Sequence, residues 1–152
     1  MIFSKEQMFS DSQPITGATT VVSTNIIDLG DTGSVRNAPA GATGKLKRDI
    51  GPGEPIGVSI TAFCTSAAPN TENLTVTLSQ SANSDMSAPD VVAISKTMTV
   101  GQAGVSFAFN WMPDQVNRRY LQLSYTTAGA FNLIVDAGIT MGKQTNVTVA
   151  AA

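Results

Sequence analysis

A chain of 152 residues with 42% apolar and 13% charged side chains fits one domain whose core needs neither a disulfide nor a metal to hold it. A single cysteine and no histidine exclude an internal disulfide, the commonest zinc sites, and the Ser-His-Asp and Cys-His arrangements of nucleophilic catalysis. The net charge of −2 argues against the basic face that a general nucleic-acid binder requires.

The opening residues, 1–13, read as a short amphiphilic arm in which Ile2, Phe3, Met8 and Phe9 are apolar. The stretch Ser10-Asp11-Ser12-Gln13-Pro14 that follows is rich in turn formers. An arm this short forms no stable isolated helix, so its apolar residues are candidate contacts with a neighbouring subunit. The same residues lack the basic start, apolar run and cleavage site of a secretion signal. No stretch of the sequence approaches the roughly 18 apolar residues of a bilayer-spanning helix. The expectation is a soluble protein made in the cytoplasm, with no membrane partner.

Strand signals come next. Thr19 to Ser23 and Asn25 to Gly30 are short and rich in β-branched residues, and the second ends in the turn cluster Gly30-Asp31-Thr32-Gly33-Ser34. From Arg36 to Glu54 the chain reads as a loop punctuated by Pro39, Gly41, Gly44, Gly51, Pro52 and Gly53. Long irregular loops in compact domains tend to be functional or partner-bound. Strands return over Ile56 to Phe63 and over Leu74 to Ser79, where Leu74, Val76 and Leu78 share one face. A polar loop, Ser81 to Pro89, leads to Val91–Ile94 and Lys96–Val100. Gly101-Gln102-Ala103-Gly104 then turns the chain into Val105–Trp111, which alternates strictly.

The clearest pattern lies between Arg118 and Ile139. Leu121, Leu123 and Tyr125 share one parity, and Phe131, Leu133, Val135, Ala137 and Ile139 share another face. The two runs read as a hairpin joined through Thr126-Thr127-Ala128-Gly129-Ala130. About eight strands, spaced about 10–15 residues apart, are the signature of a sandwich or jelly roll. The expected fold is all-β: an antiparallel two-sheet β-sandwich over 14–152, jelly-roll topology being the first choice on strand count, preceded by an extended N-terminal arm.

Motifs for chemistry are absent. Ala40 to Lys47 imitates a phosphate-binding loop, but Pro39 stands where its first glycine belongs and Leu46 where its hydroxyl belongs. Asp28, Asp31 and Asp49 lack the repeated ligand spacing of a calcium loop, and aspartates at strand ends commonly serve turns. Glu54 and Asp114 form no recognisable acid–base couple. Asn73-Leu74-Thr75 and Asn146-Val147-Thr148 match the glycosylation pattern by coincidence. Cys64 reads as a small buried strand residue, and Phe107 and Phe109 as core. The expectation is a protein that is no enzyme, with no catalytic residue, metal or cofactor. Lys45, Lys47 and Arg48, the pair Arg118-Arg119, and Trp111 at the end of its strand are candidate contacts with a partner, beside the bland reading of solvated loop, strand entry and core.

Three segments together resemble the capsid cement (decoration) proteins of tailed bacteriophages, of the type described for a Bordetella podophage. They are the amphiphilic opening with Ser23-Thr24-Asn25-Ile26-Ile27-Asp28-Leu29-Gly30, the central loop with Pro55-Ile56-Gly57-Val58, and Arg118-Arg119-Tyr120-Leu121-Gln122-Leu123-Ser124-Tyr125 with its turn and a closing strand near Ala137-Gly138. The resemblance implies a jelly-roll-like structural protein on the capsid exterior that bridges copies of the major capsid protein. It also implies a homo-oligomer, a homodimer ahead of a homotrimer, and it carries over no catalytic residue. On that reading Ile2, Phe3, Met8, Phe9, Lys45, Lys47, Arg48, Trp111 and Arg118 are the candidate capsid or oligomer contacts. Deletion of residues 1–13 would then leave the sandwich folded and weaken attachment. The alternative from another class is a carbohydrate- or receptor-binding sandwich of a phage fibre or tail, for which the chain offers Trp111, Tyr120 and Tyr125.

Overall fold

The computed structural model describes residues 5–17, 20–30, 55–65, 72–111, 116, 118–128 and 132–140. After a single 3-10 turn at Lys5–Gln7, ten strands follow among these residues. They are β1 (Met8–Thr16), β2 (Thr20–Val22), β3 (Ile27–Asp28), β4 (Ile56–Cys64), β5 (Glu72–Ser81), β6 (Asp90–Ile94), β7 (Met98–Val100), β8 (Val105–Trp111), β9 (Tyr120–Thr127) and β10 (Asn132–Thr140). Every paired set is antiparallel. One sheet runs β1-β10-β4-β8; the other runs β2-β9-β5-β6, with β3 also on β9 and β7 also on β5. Taking β2–β3 and β6–β7 as two interrupted strands leaves two four-stranded layers whose order interleaves early and late strands. That is a jelly roll.

Both interruptions are patched by a serine. Between β2 and β3, the Ser23 amide donates to the Leu123 carbonyl at 2.8 Å, while Ser23 Oγ accepts the Leu123 amide at 3.2 Å. Between β6 and β7, the Ser95 amide donates to the Val76 carbonyl at 2.8 Å, and Ser95 Oγ accepts the Val76 amide at 2.9 Å. In each case the hydroxyl stands where the ladder would have offered a carbonyl, so a buried N–H of the central strand keeps its partner.

The core lies between the layers. Ile15, Val58, Ile60, Ala62, Cys64, Leu133, Val135 and Ala137 face it from one sheet, and Leu74, Val76, Leu78, Leu121, Leu123 and Tyr125 from the other. Strand periodicity puts these residues on one side because successive side chains of a strand alternate. Each buried aliphatic or aromatic side chain stabilises by roughly 1.5–3 kcal/mol.

Four expectations need correction. Residues 8–13 are no arm: they are the first two thirds of β1, which pairs with β10, so the expected boundary at 13/14 falls inside a strand. Phe9 is 0% exposed in the core, at a point where the register of β1 against β10 shifts between Met8 and Ser10. An irregular strand hides its own alternation, which is why this segment reads as turn-prone. The β9–β10 hairpin does not form either. β9 pairs with β5, β2 and β3 in one sheet, and β10 pairs with β1 and β4 in the other. Alternation reports that a strand has a buried face, not which strand lies beside it. Trp111, a candidate interface anchor on sequence, is 2% exposed and belongs to the core, whereas Phe107 and Phe109 pack against that core only partly buried, because β8 ends its sheet.

Candidate interaction surface

The outer face of the six-stranded sheet carries few charges and is made of hydroxyls and small apolar groups. In its first row Thr20 lies opposite Thr126, and Thr126 opposite Thr75. Thr20 and Thr126 share a hydroxyl hydrogen bond of 3.0 Å, and Thr75 and Thr97 another of 3.0 Å. The next row runs Val22, Ser124, Thr77, Ile94; the one after it, Gln122, Ser79, Val91. The flanks of these rows are apolar and open: Val22 is 53% exposed, and Val91 and Ile94 are each 61% exposed. The sequence holds a signal for this. A strand reading Val91-Val92-Ala93-Ile94 has no polar alternation, so at least one apolar side chain must face water.

One end of the face is pinned by ion pairs. Arg119 Nε and Nη2 donate to the two carboxylate oxygens of Asp28 at 2.7 and 2.8 Å, and the guanidinium lies 5.2 Å from the centre of the Tyr120 ring. Asp28 Oδ1 also accepts the Gly30 amide at 2.8 Å, the turn role expected of it. Arg118 pairs with Asp90 at 3.0 Å, and its amide donates to Gln80 Oε1 at 3.1 Å. The adjacent arginines thus tie β9 to β3 on one side and to β6 on the other. Pairs this exposed contribute about 0–1 kcal/mol each and serve registration more than stability.

Between Ser81 and Asp90 the chain folds on its own side chains. Ser81 Oγ donates to the Ser87 carbonyl at 2.8 Å, Asn83 Nδ2 to Ser87 Oγ at 2.8 Å, and the Ser87 amide to Asp85 Oδ1 at 2.9 Å. The Ser87 bonds hold the Asp85 carboxyl below the usual carboxylate range. Met86 and Ala88 sit at positive φ, 56° and 51°, and Met86 tucks inward. The loop therefore presents a fixed shape beside the Arg118–Asp90 pair.

Of the sequence-predicted contacts, Arg118 is exposed on this surface, Met8 is half-buried in β1, and Phe9 and Trp111 are interior. The Trp111 Nε1–H is buried without an acceptor among the described residues. Ile2, Phe3, Lys45, Lys47 and Arg48 lie outside the described residues, as does the phosphate-loop imitation at 40–47. Sequence reasoning missed Val22, Val91 and Ile94. Among the described residues no three His, Cys, Asp or Glu side chains group to hold a metal ion, and no helix is long and apolar enough to cross a membrane.

No curated protein matches this chain. A solved chain from Clostridium thermocellum, the N-terminal CBM22-1 and GH10 modules of endo-1,4-β-D-xylanase 10B complexed with xylohexaose, is similar at 16% identity with a TM-score of 0.43. The similarity covers 90% of this chain and 28% of that one. The sequence pattern of the Bbp16 family, a Bordetella phage protein family, matches residues 9–138, from the buried Phe9 of β1 to the Gly138 of β10. The chain belongs to the Bbp16 family and is a phage-associated protein.

Proposed function

We propose that this protein is a structural, non-enzymatic component of the virion: a cement protein that binds the outside of a phage capsid and bridges copies of the major capsid protein. The observation that carries the reading is the outer face of the six-stranded sheet, where Val22, Val91 and Ile94 stand exposed around a hydroxyl centre of low charge. A low-charge face is cheap to desolvate, and its hydroxyls can donate or accept towards whatever surface they meet. Family membership in a phage protein group supports the same reading. Cementing needs many modest contacts repeated over a lattice, and linkage across subunits multiplies their strength. Self-association as a homodimer belongs to the reading, because a bridge needs two ends.

The test is co-sedimentation with capsids that lack the protein. Wild type is expected to pellet with the shells, and the double substitution Val91→Asp with Ile94→Asp to stay in the supernatant while melting close to wild type. Wild-type protein that never pellets sinks the reading. A carbohydrate-binding alternative would draw on Trp111, Tyr120 and Tyr125, of which Trp111 and Tyr125 are buried.

A further inference from the structure

The two side walls of the sandwich differ. Where β1 meets β2, hydrogen bonds cross between the sheets: the Asn25 amide donates to the Phe9 carbonyl at 2.9 Å, Asn25 Nδ2 to the Met8 carbonyl at 3.2 Å, and Gln13 Nε2 to the Val22 carbonyl at 2.8 Å. That wall is stitched shut. Its strands are also poor templates: β1 shifts register twice and contains Pro14 and a positive-φ Ser12, and β2 has three residues. These are the devices by which proteins blunt a sheet edge.

The opposite wall carries β8 above β6 and β7. β6 shifts register against β5 and begins at the charged Asp90. β8 has none of these protections. Its seven residues pair with β4 without a register shift, and it contains no proline. No charged residue occurs between Lys96 and Asp114. At about 3.4 Å per residue the edge is about 24 Å long, and its outward backbone N–H and C=O groups face no strand among the described residues. Phe107 and Phe109 point inward yet remain half-buried, as side chains do when a sheet stops one strand short of covering them.

We propose that two copies of this chain pair through β8, antiparallel about a two-fold axis at Ala108, making one continuous sheet of four strands from each copy. The sequence of the edge is complementary to itself in that register. Ala108 meets Ala108 of the second copy, Phe107 meets Phe109 on the inner face, Ser106 meets Asn110 on the outer face, and Val105 meets Trp111. Neutrality means that no like charges oppose one another, the requirement for an isologous contact. Any other register leaves part of the seven-residue edge unpaired. The pairing specifies the self-association contained in the proposed function, and it leaves the face bearing Val91 and Ile94 open for the shell.

Engineered variants test it without capsids. Residues opposed across an antiparallel pair have Cα atoms about 4.5–5.5 Å apart, within the span of about 4.4–6.8 Å that a disulfide bridges. Ala108→Cys is therefore expected to form a covalent dimer on mild oxidation, while Thr126→Cys on the other sheet stays single, and the native Cys64 is buried out of reach. Ala108→Lys, at an exposed position, places two ammonium groups at the axis and is expected to sediment as a monomer with an unchanged circular dichroism spectrum. Mixing it with Ala108→Glu restores the dimer mass. Wild-type protein that is monomeric at every concentration overturns the pairing. A dimer that survives Ala108→Lys, together with an Ala108→Cys variant that never cross-links, overturns it too, while leaving self-association by another surface intact. Failure of capsid binding, read from the pelleting experiment, leaves these outcomes unchanged.

Discussion

The Tyr125 hydroxyl donates to Ser10 Oγ at 2.6 Å, across the space between the two sheets. The direction follows from the next bond: the Ser10 proton goes to Gln13 Oε1 at 2.6 Å, so the serine can only accept from the phenol. Gln13 Oε1 also accepts the Thr24 amide at 2.9 Å, and the chain of bonds ends on the backbone of the neighbouring segment.

Burial, with a smaller push from Asp136, drives the Tyr125 phenol well above its ordinary value. The folded state therefore favours the protonated ring. That contribution is complete below the unfolded phenol value of about 10 and declines as pH rises beyond it. Tyr125→Phe is expected to cost about 1–2 kcal/mol at neutral pH. The gap between wild type and variant narrows above pH about 10, which urea melts across the alkaline range will read. A gap constant with pH contradicts a buried, protonated phenol.

Ser95→Ala and Ser23→Ala each strip an acceptor from a buried amide, that of Val76 or Leu123. The expected loss is about 1–3 kcal/mol apiece. Because the two serines lie at different strand breaks, their costs should add in the double variant. Denaturant midpoints provide the check.

Phe9→Ala is expected to cost about 3–5 kcal/mol, since the ring is fully enclosed. Deleting residues 1–13 should unfold or severely destabilise the domain rather than merely detach it, because it removes two thirds of β1 and the Ser10 and Gln13 links. A truncated protein that melts like the full chain would show that β1 is dispensable.

Gly104 turns the chain into β8 at φ +77°, and a Cβ there would lie 3.3 Å from the Ala62 carbonyl oxygen. Gly104→Ala thus combines a left-handed backbone with a crowded backbone contact. The expected cost is about 1–3 kcal/mol, read as a lowered melting temperature. Gly17→Ala, at φ +85° with open space around it, should cost less and serves as the comparison.

Strands whose pattern is regular were legible from residues alone: Leu74–Ser79 of β5, β8 and β9 alternate, and the faces they turn inward are the ones the parity of the residues predicts. β1 was not, because its two register shifts and Pro14 imitate a turn. Partners of strands were also invisible, since β9 and β10 have equal claims to be neighbours until three-dimensional packing separates them. The exposed Val91 and Ile94 were hidden for another reason: five residues are too few for a period to declare which face is wet. The polar chain from Tyr125 to Gln13 joins positions more than a hundred apart and leaves no local trace.

The position of β10 between β1 and β4 has a kinetic consequence. The first sheet has its gap in the middle, and the strand that fills it is the last of the ten described strands. Until residues 132–140 emerge from the ribosome, β1 and β4 have no common neighbour, and that sheet can complete only the pairing of β4 with β8. Maturation is thus expected to wait until β10 has emerged and to proceed slowly, in the millisecond-to-second regime of folds dominated by distant contacts.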